Sequence, residues 1–286
     1  MSQKTKRDLP RKETPKREGP AKASYRLLLE YDGSRYAGWQ KQSDAQGVRT
    51  VQGSLERVLQ EAGMKVLSLG GSGRTDAGVH ALGQVAHLHL LTPTPPKPHE
   101  LQRLFDEGLP QDVALREIRS CSPTFHARHD AKARTYLYQV SKRRTGLAKP
   151  YVWWVKQPMD VPKLHDAWMA FQGFHDVRAF ADLEGEDPRC EIQSCEFMED
   201  GALILLRVTA SHFLRKQVRR MVGAAVAAAI GKMRVEDVLK DLKEPRPGSE
   251  LRWSERAAAS SGLFLEHVQY QGEAGRDPLR AITLVL

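Results

Sequence analysis

The chain has 286 residues, of which 41% are hydrophobic and 28% are charged. This length accommodates two domains of ordinary size, and the composition excludes a wholly disordered chain. The formal net charge of +9 points to an anionic partner, and nucleic acid is the first candidate. Eight basic and three acidic residues lie within the first 24 positions, so more than half of that excess belongs to the N-terminal tail. We predict that residues 1–23 are a disordered basic tail, either a solvated extension or an arm that tethers RNA.

The cysteine content and the hydropathy favour a cytoplasmic protein without a membrane anchor. Three cysteines are too few for a disulfide framework in a chain of this length. Cys190 and Cys195 are five positions apart in a strand-like stretch, so we expect them on opposite faces. The longest apolar run, residues 221–231, is far shorter than the ~20 residues of a membrane span. A secretory signal is not expected either, because no hydrophobic segment lies near the N-terminus.

The first half of the chain shows alternating strand-like and helical periodicities. In chain order the predicted elements are a strand at 25–31, a helix at 51–62, strands at 66–69 and 85–90, a helix at 101–109 and a strand at 113–120. His87 and His89 are expected on the exposed face of their strand, without a ligand role. This order, β-α-β-β-α-β, is that of a ferredoxin-like unit.

The second half repeats that order with longer loops. Its predicted elements are a strand at 135–141, a helix at 161–171, a hairpin of strands at 191–198 and 202–209, helices at 218–229 and 235–242, and strands at 263–270 and 281–286. The predicted fold class is therefore α+β, with two ferredoxin-like (RRM-like) units whose sheets join around a central cleft. We place the N-terminal domain at residues 24–124 and the C-terminal domain at residues 125–286.

The glycine-rich segment 70–78 is the densest candidate for a functional loop. It lacks the lysine of a phosphate-binding P-loop, and Asp76 stands where a dinucleotide fingerprint needs its third glycine. The loop offers one carboxylate, Asp76, beside Arg74, with glycines that permit close approach of a ligand. From the residues alone, Asp76 can be a general base, a nucleophile, a metal ligand or a turn-forming residue.

A second group of residues, at 125–138, interleaves arginines with aromatic side chains. Arg128 and Arg134 suit backbone phosphates, while Phe125 and Tyr136 suit stacked bases. The alternative is an ordinary aromatic core strand with a solvated basic flank. A zinc site built from Cys121, His126 and His129 lacks a fourth ligand at a suitable spacing, and we expect no metal.

A third group places four cations in the first turns of a predicted helix. These are Arg215, Lys216, Arg219 and Arg220. Cations at a helix N-terminus are disfavoured by roughly 0.3 to 1 kcal/mol each because the macrodipole is positive there. We therefore expect negative groups nearby, either RNA phosphates or a carboxylate such as Asp76.

Taken together, these segments resemble the tRNA pseudouridine synthase A family, which isomerises uridines in the anticodon stem-loop. The matching pieces occur in family order over nearly all of the chain after residue 24: Tyr31-Asp32-Gly33, Tyr36-Ala37-Gly38-Trp39-Gln40, Thr50-Val51-Gln52, Gly73-Arg74-Thr75-Asp76-Ala77-Gly78-Val79-His80-Ala81, Phe125-His126-Ala127-Arg128, Arg134-Thr135-Tyr136, Gly173-Phe174-His175-Asp176, Phe213-Leu214, Val218-Arg219 and Gly262-Leu263-Phe264-Leu265. The nine-residue match around Asp76 is highly specific. Val177-Arg178 departs from the usual family pattern, and the basic tail lies outside the family core.

The resemblance implies the pseudouridine synthase fold and a role for individual residues. Asp76 would be the nucleophile or base, acting on the sugar or on the pyrimidine ring. Arg219 would pair with Asp76 and offset the cost of burying its charge. Tyr136 would pack against the uracil and is a candidate for removing the C5 proton. The remaining implied residues bind substrate: Arg74 entering the RNA stack, Leu263 as an apolar wall, and Arg128, Arg134, Arg215, Lys216 and Arg220 as phosphate contacts.

The same resemblance implies the substrate and the assembly. The target would be uridine at positions 38, 39 and 40 in the anticodon arm of tRNA, flipped out of its stack. No redox step or energy input is involved, so no cofactor is expected. A homodimer is implied because one tRNA can then span two subunits.

Two other classes of protein fit less well. A non-catalytic RNA-binding protein with two RRM-like units would explain the basic helix but not Asp76, and the first strands lack the aromatic RNA-binding pattern. A metal-dependent nuclease would need several carboxylates, whereas Asp76 has no acidic neighbour within five positions.

Overall fold

The computed structural model describes residues 21–41, 47–246, 248–273 and 275–285. The predicted tail falls mostly on residues 1–20, which lie outside the described residues. The first strand begins earlier than predicted, at Ala21, because Ala21 to Ala23 pair with the far end of a neighbouring strand.

The first half has the predicted β-α-β-β-α-β order. Its elements are β1 (Ala21–Tyr31), α1 (Val51–Glu61), β2 (Val66–Gly71), β3 (His80–Thr92), α2 (Pro98–Gly108) and β4 (Val113–Ser120). Helix α1 begins where the Thr50 side chain accepts a hydrogen bond from the Gly53 N–H, and it ends just before Gly63, whose φ of 67° stops the helix.

The second half repeats the order with insertions. Its elements are β5 (Ala133–Ser141), β6 (Trp153–Trp154), α3 (Val161–Met169), β7 (Gly173–Asp176), β8 (Arg189–Asp200), β9 (Leu203–Ala210), α4 (Gln217–Ala229), α5 (Val235–Lys243), α6 (Ser249–Ser254) and β10 (Leu263–Gln269). The short strands β6 and β7 and the helix α6 are additions that the sequence pattern did not predict. Short 3-10 turns at 33–35, 149–151, 178–180 and 260–262 complete the regular structure.

The two halves share one mixed sheet, as predicted. The main path of the sheet runs β4-β1-β3-β10-β5-β9-β8-β7. Strand β2 pairs with β3 over 86–90, whereas β10 pairs with β3 in parallel at His80 and Ala81. The loop between β2 and β3 therefore emerges at the seam between the halves. The Asp76 segment is that loop.

The end of the chain differs from the prediction of a strand at 281–286. Residues 281–285 form no strand, and Leu286 lies outside the described residues. Both edges of β5 are already occupied by β9 and β10. The segment instead packs on the sheet face, where the Ile282 N–H donates to the Gln139 side chain at 2.7 Å and Val285 is buried against Leu137.

The prediction that His87 and His89 are exposed is wrong, because both faces of β3 are covered and both side chains are buried. The Ala127 N–H donates to His87 Nδ1 at 3.2 Å. The rings of His87 and His126 lie 4.4 Å apart. The segment around Ala127 and His126 therefore covers this face of the sheet.

The cysteines in β8 also differ from the prediction. A β-bulge between Ile192 and Ser194 places one extra residue in β8 relative to β9. This residue shifts the alternation by one, so Cys190 and Cys195 are buried in the same core rather than on opposite faces. Among the described residues, no helix combines the length and apolar composition that a membrane span requires.

Candidate active site at the seam of the sheet

The loop that carries Asp76 is held at its start by a buried glutamine. The side-chain oxygen of Gln84 accepts from the Ser72 N–H at 3.2 Å and from the Ser72 hydroxyl at 2.8 Å. Its amide nitrogen donates to the Gly73 carbonyl at 2.9 Å. Gln84 was not identified from the sequence, although a glutamine in an apolar strand is a signal of an internal hydrogen-bond network.

The centre of the loop is held by the segment around Trp39. The Trp39 N–H donates to the Thr75 carbonyl at 3.1 Å, and a 2.8 Å hydrogen bond joins the Tyr31 hydroxyl to the Thr75 hydroxyl. Burial raises the pKa of Tyr31 to about 12, so this hydroxyl stays protonated. Gly38 has a φ of 114°, and a Cβ there would lie 2.6 Å from the Thr75 carbonyl oxygen. Only glycine fits this close approach.

Asp76 faces Arg219 across the seam. The Asp76 Oδ2 and Arg219 Nη1 atoms are 3.7 Å apart, and the two side chains are 30% and 20% exposed. The Arg219 Nε donates to the Ala258 carbonyl at 2.8 Å, and the Ala258 N–H donates to the Arg219 carbonyl at 2.9 Å. The guanidinium is thus fixed on α4 while one edge remains directed at the carboxylate.

Tyr136 lies near this pair on β5, and Leu263 lies on the adjacent strand β10. Tyr136 is buried, packs edge-on against Phe213 with ring centres 5.2 Å apart, and has its hydroxyl 3.7 Å from the Cβ position of Gly73. Burial raises the pKa of Tyr136, and the charge of Asp76 raises it further. Leu263 is also buried and opens β10 opposite Tyr138. The result is an apolar wall with a neutral phenol next to the carboxylate.

Arg134 differs from its predicted role as a phosphate contact. The side chain is buried, and its guanidinium donates to backbone carbonyls from three segments. These acceptors are Ser72 at 2.9 Å, Arg128 at 2.5 Å, Ser211 at 2.8 Å and, more weakly, Ala131 at 3.2 Å. Because its donors are already occupied, Arg134 connects the Asp76 loop to the second half of the chain rather than facing RNA.

Arg220 and Lys216 are held by a carboxylate that the sequence analysis did not consider. Asp182 pairs with the buried Arg220 and with Lys216, whose Nζ is 2.9 Å away. Lys216 has a φ of 59°, the one left-handed non-glycine residue among those described. Arg220 is buried and its guanidinium forms an ion pair with Asp182.

The remaining predicted cations stay at the surface. Arg74, Arg128 and Arg215 are exposed. Glu184 lies 2.7 Å from Arg215 and 3.8 Å from Arg74. The negative groups expected near the start of α4 are therefore Asp76, Asp182 and Glu184. Asp182 and Glu184 lie in the acidic stretch 182–187. This stretch is visible in the sequence, but its position over the start of α4 could not be predicted from the sequence.

No group of three His, Cys, Asp or Glu side chains within the described ranges is arranged to hold a metal ion. The site consists of a carboxylate at a seam, a fixed guanidinium, a buried apolar wall and exposed arginines around it. This combination suits acid–base or nucleophilic chemistry on a polyanionic substrate.

The chain is similar in sequence to known proteins over most of its length. The family model for tRNA pseudouridine synthase matches twice, at residues 28–130 and 167–271. The tRNA pseudouridine synthases A of Dictyoglomus thermophilum and of Sinorhizobium fredii are each 35% identical over 86% of this chain and 99% of their own length. A solved H/ACA ribonucleoprotein bound to a substrate RNA containing 2′-deoxyuridine shares 10% identity over 71% of this chain and 44% of that one, with a TM-score of 0.36. From the family match and the curated relatives, the chain belongs to the tRNA pseudouridine synthase family and is an isomerase.

Proposed function

We propose that the chain converts uridine to pseudouridine at positions 38, 39 and 40 in the anticodon stem-loop of tRNA, with Asp76 as the attacking group. The observation that carries the proposal is the approach of Asp76 and Arg219 to 3.7 Å across the seam in a member of this family. The anticodon target rests on the resemblance to the A-type synthases.

Conversion of uridine to pseudouridine requires few groups besides one carboxylate held close to the target nucleoside. The N1–C1′ glycosidic bond breaks, the base turns, and C5 bonds to C1′; the C5 proton is lost and N1 gains one. No electrons are transferred, so no redox cofactor is needed. Asp76 acts on the sugar or the pyrimidine ring as nucleophile or base, while Arg219 stabilises the ionised carboxylate in a partly dry site.

Tyr136 and Leu263 form the surface against which the flipped uracil packs. The raised pKa of Tyr136 leaves very little phenolate at neutral pH, so we assign packing rather than removal of the C5 proton to this residue. An apolar wall offsets part of the cost of taking the base out of its stack.

The RNA backbone is bound by exposed cations on both sides of the cleft. We assign Arg128, Arg215 and the half-exposed Lys216 to phosphates, and Arg74 to the place the target base leaves. Arg134 and Arg220 are excluded from this set because both are buried and bonded within the protein. Phosphate contacts supply affinity, whereas the cleft selects the base.

Release of tritium from tRNA carrying 5-tritiated uridine tests the proposal. We expect release with the wild type and none with Asp76→Ala. Asp166→Asn, on an exposed carboxylate of α3, is the matched control and should retain the wild-type rate. Release that survives in Asp76→Ala would refute the assignment of Asp76, and pseudouridine mapped outside positions 38 to 40 would refute the target.

We also propose, from the resemblance alone, that the protein is a cytoplasmic homodimer. A monomeric mass by light scattering would contradict the dimer. Fractionation of cells that produce the protein would test its location.

A further inference from the structure

The acidic segment 182–187 lies over the positively charged side of the candidate active site. The Asp182 N–H donates to the Arg215 carbonyl at 3.0 Å, and the Asp182 carboxylate pairs with Lys216 and Arg220. These contacts fix the segment to the start of α4. They also bring the next carboxylate, Glu184, to the rim of the cleft.

Glu184 bridges two arginines that come from different halves of the chain. Its carboxylate oxygens lie 2.7 Å from Arg215 Nη1 and 3.8 Å from Arg74 Nη1. The Glu184, Arg215 and Arg74 side chains are 44%, 55% and 61% exposed. An exposed pair of this kind changes an equilibrium constant by no more than about fivefold, so another anion can replace this carboxylate.

Glu186 extends the same arrangement toward the third exposed arginine. Backbone N–H groups lower the pKa of Glu186, and the charges of Arg128 and Arg74 lower it further. The acidic segment thus places negative charge beside the three exposed arginines assigned to RNA, Arg74, Arg128 and Arg215. Glu184 is the member that directly contacts two of them.

We propose that Glu184 occupies the place of an RNA phosphate on Arg215 in the free enzyme, and that tRNA enters this phosphate subsite by displacing the carboxylate from both Arg215 and Arg74. A phosphodiester carries the same charge and accepts the same charge-assisted hydrogen bonds from arginine. The inference rests on the proposed function, because it assumes that RNA binds this rim of the cleft.

The displacement has a consequence for Arg74. A phosphate that binds Arg215 displaces the Glu184 carboxylate from Arg74 as well. The Arg74 side chain is then free to enter the RNA stack. RNA that places no phosphate at this subsite leaves Arg74 paired with Glu184. Glu184 is therefore a specificity-determining residue, since it links a correctly placed phosphate to the release of Arg74.

Binding of a tRNA transcript to Glu184→Gln over a range of KCl concentrations tests the inference. Because the substitution removes a competing anion, we expect tRNA binding to tighten by about two- to fivefold. The slope of log affinity against log salt should stay the same, because the same phosphate contact forms with or without the carboxylate. Glu199→Gln is the matched control. Glu199 lies on β8, is also 44% exposed and pairs with Lys142. Its replacement should change tRNA affinity by less than about twofold.

Arg215→Ala in both backgrounds shows whether the two anions compete for the same cation. The gain from Glu184→Gln should fall to less than about twofold when Arg215 is absent, because only the longer contact of Glu184 with Arg74 then remains. A gain that persists without Arg215, or one no larger than that of Glu199→Gln, overturns the inference.

The binding measurements need no turnover, so the outcomes of the two proposals are distinguishable. Tritium release from Asp76→Ala together with tighter binding by Glu184→Gln would refute the catalytic assignment and keep the subsite. Weaker binding by Arg74→Ala and Arg215→Ala, without an effect of Glu184→Gln, would keep the RNA surface and refute the displacement.

Discussion

Replacing Arg219 by glutamine should slow the chemical step far more than it weakens tRNA binding. At 3.7 Å, two unit charges attract by about 4 kcal/mol at an effective dielectric constant of ~20. Water screens part of this attraction, because the Arg219 and Asp76 side chains are 20% and 30% exposed. Because Arg219 also positions the attacking carboxylate, we expect its loss to cost roughly 2 to 3 kcal/mol of transition-state stabilisation, which corresponds to about a 30- to 150-fold slower reaction.

The rate is measured as tritium release in a single turnover with enzyme saturating over tRNA, and affinity is measured separately by filter binding. Arg219→Lys should lose less of the rate than Arg219→Gln, because the lysine ammonium keeps the positive charge. Some rate should still be lost, because an ammonium lacks the planar fork with which arginine bonds the Ala258 carbonyl and faces Asp76 at the same time. Arg103→Gln removes an equal charge from the exposed side of α2 and should leave the saturated rate unchanged. Equal losses of rate and affinity in Arg219→Gln would make Arg219 an RNA contact and refute the reasoning.

Three further predictions concern the support of the site and its pH dependence. Arg134→Lys should lower the saturated rate at least tenfold with little change in tRNA affinity, because one ammonium cannot bridge the carbonyls that Arg134 joins; a selective loss of affinity would restore it as a phosphate contact. Gly38→Ala should lower both the melting temperature and the rate, since its Cβ would lie 2.6 Å from the Thr75 carbonyl oxygen; an unchanged melting temperature by calorimetry would contradict this close approach. Burial lowers the pKa of His87 to about 4, so the unfolded chain binds more protons between about pH 6.5 and 4 and folding stability should fall as the pH is lowered through that window, by about 2 kcal/mol at pH 5 for this residue. Denaturant titrations of His87→Gln should show a shallower fall, and those of the exposed His165→Gln should match the wild type; identical pH dependence in all three would contradict the assignment.

The order of elements could be read from the sequence because it depends on local periodicity. The helical spacing in α1 and α4 and the strand patterns of β1, β4 and β5 lie within single segments. The exceptions occur where a distant element decides the outcome. The chain at 281–285 has a strand pattern, but no strand edge of β5 is left to pair with it. The bulge in β8 reverses an alternation that the residues alone make regular.

The candidate site divides in the same way. The glycine-rich loop around Asp76 and the excess of cations at the start of the helix that carries Arg219 could be read from the sequence, because each is a feature of contiguous residues. Which arginines are exposed depends on the tertiary structure. Arg134 and Arg220 carry the same guanidinium as Arg74, yet both are buried. Arg134 bonds the carbonyls of Ser72 and Ser211, and Arg220 pairs with Asp182, and all of these partners are at least 38 positions away in the chain. Burial of a charge depends on partners brought together by the sheet, and local sequence patterns carry no information about those partners.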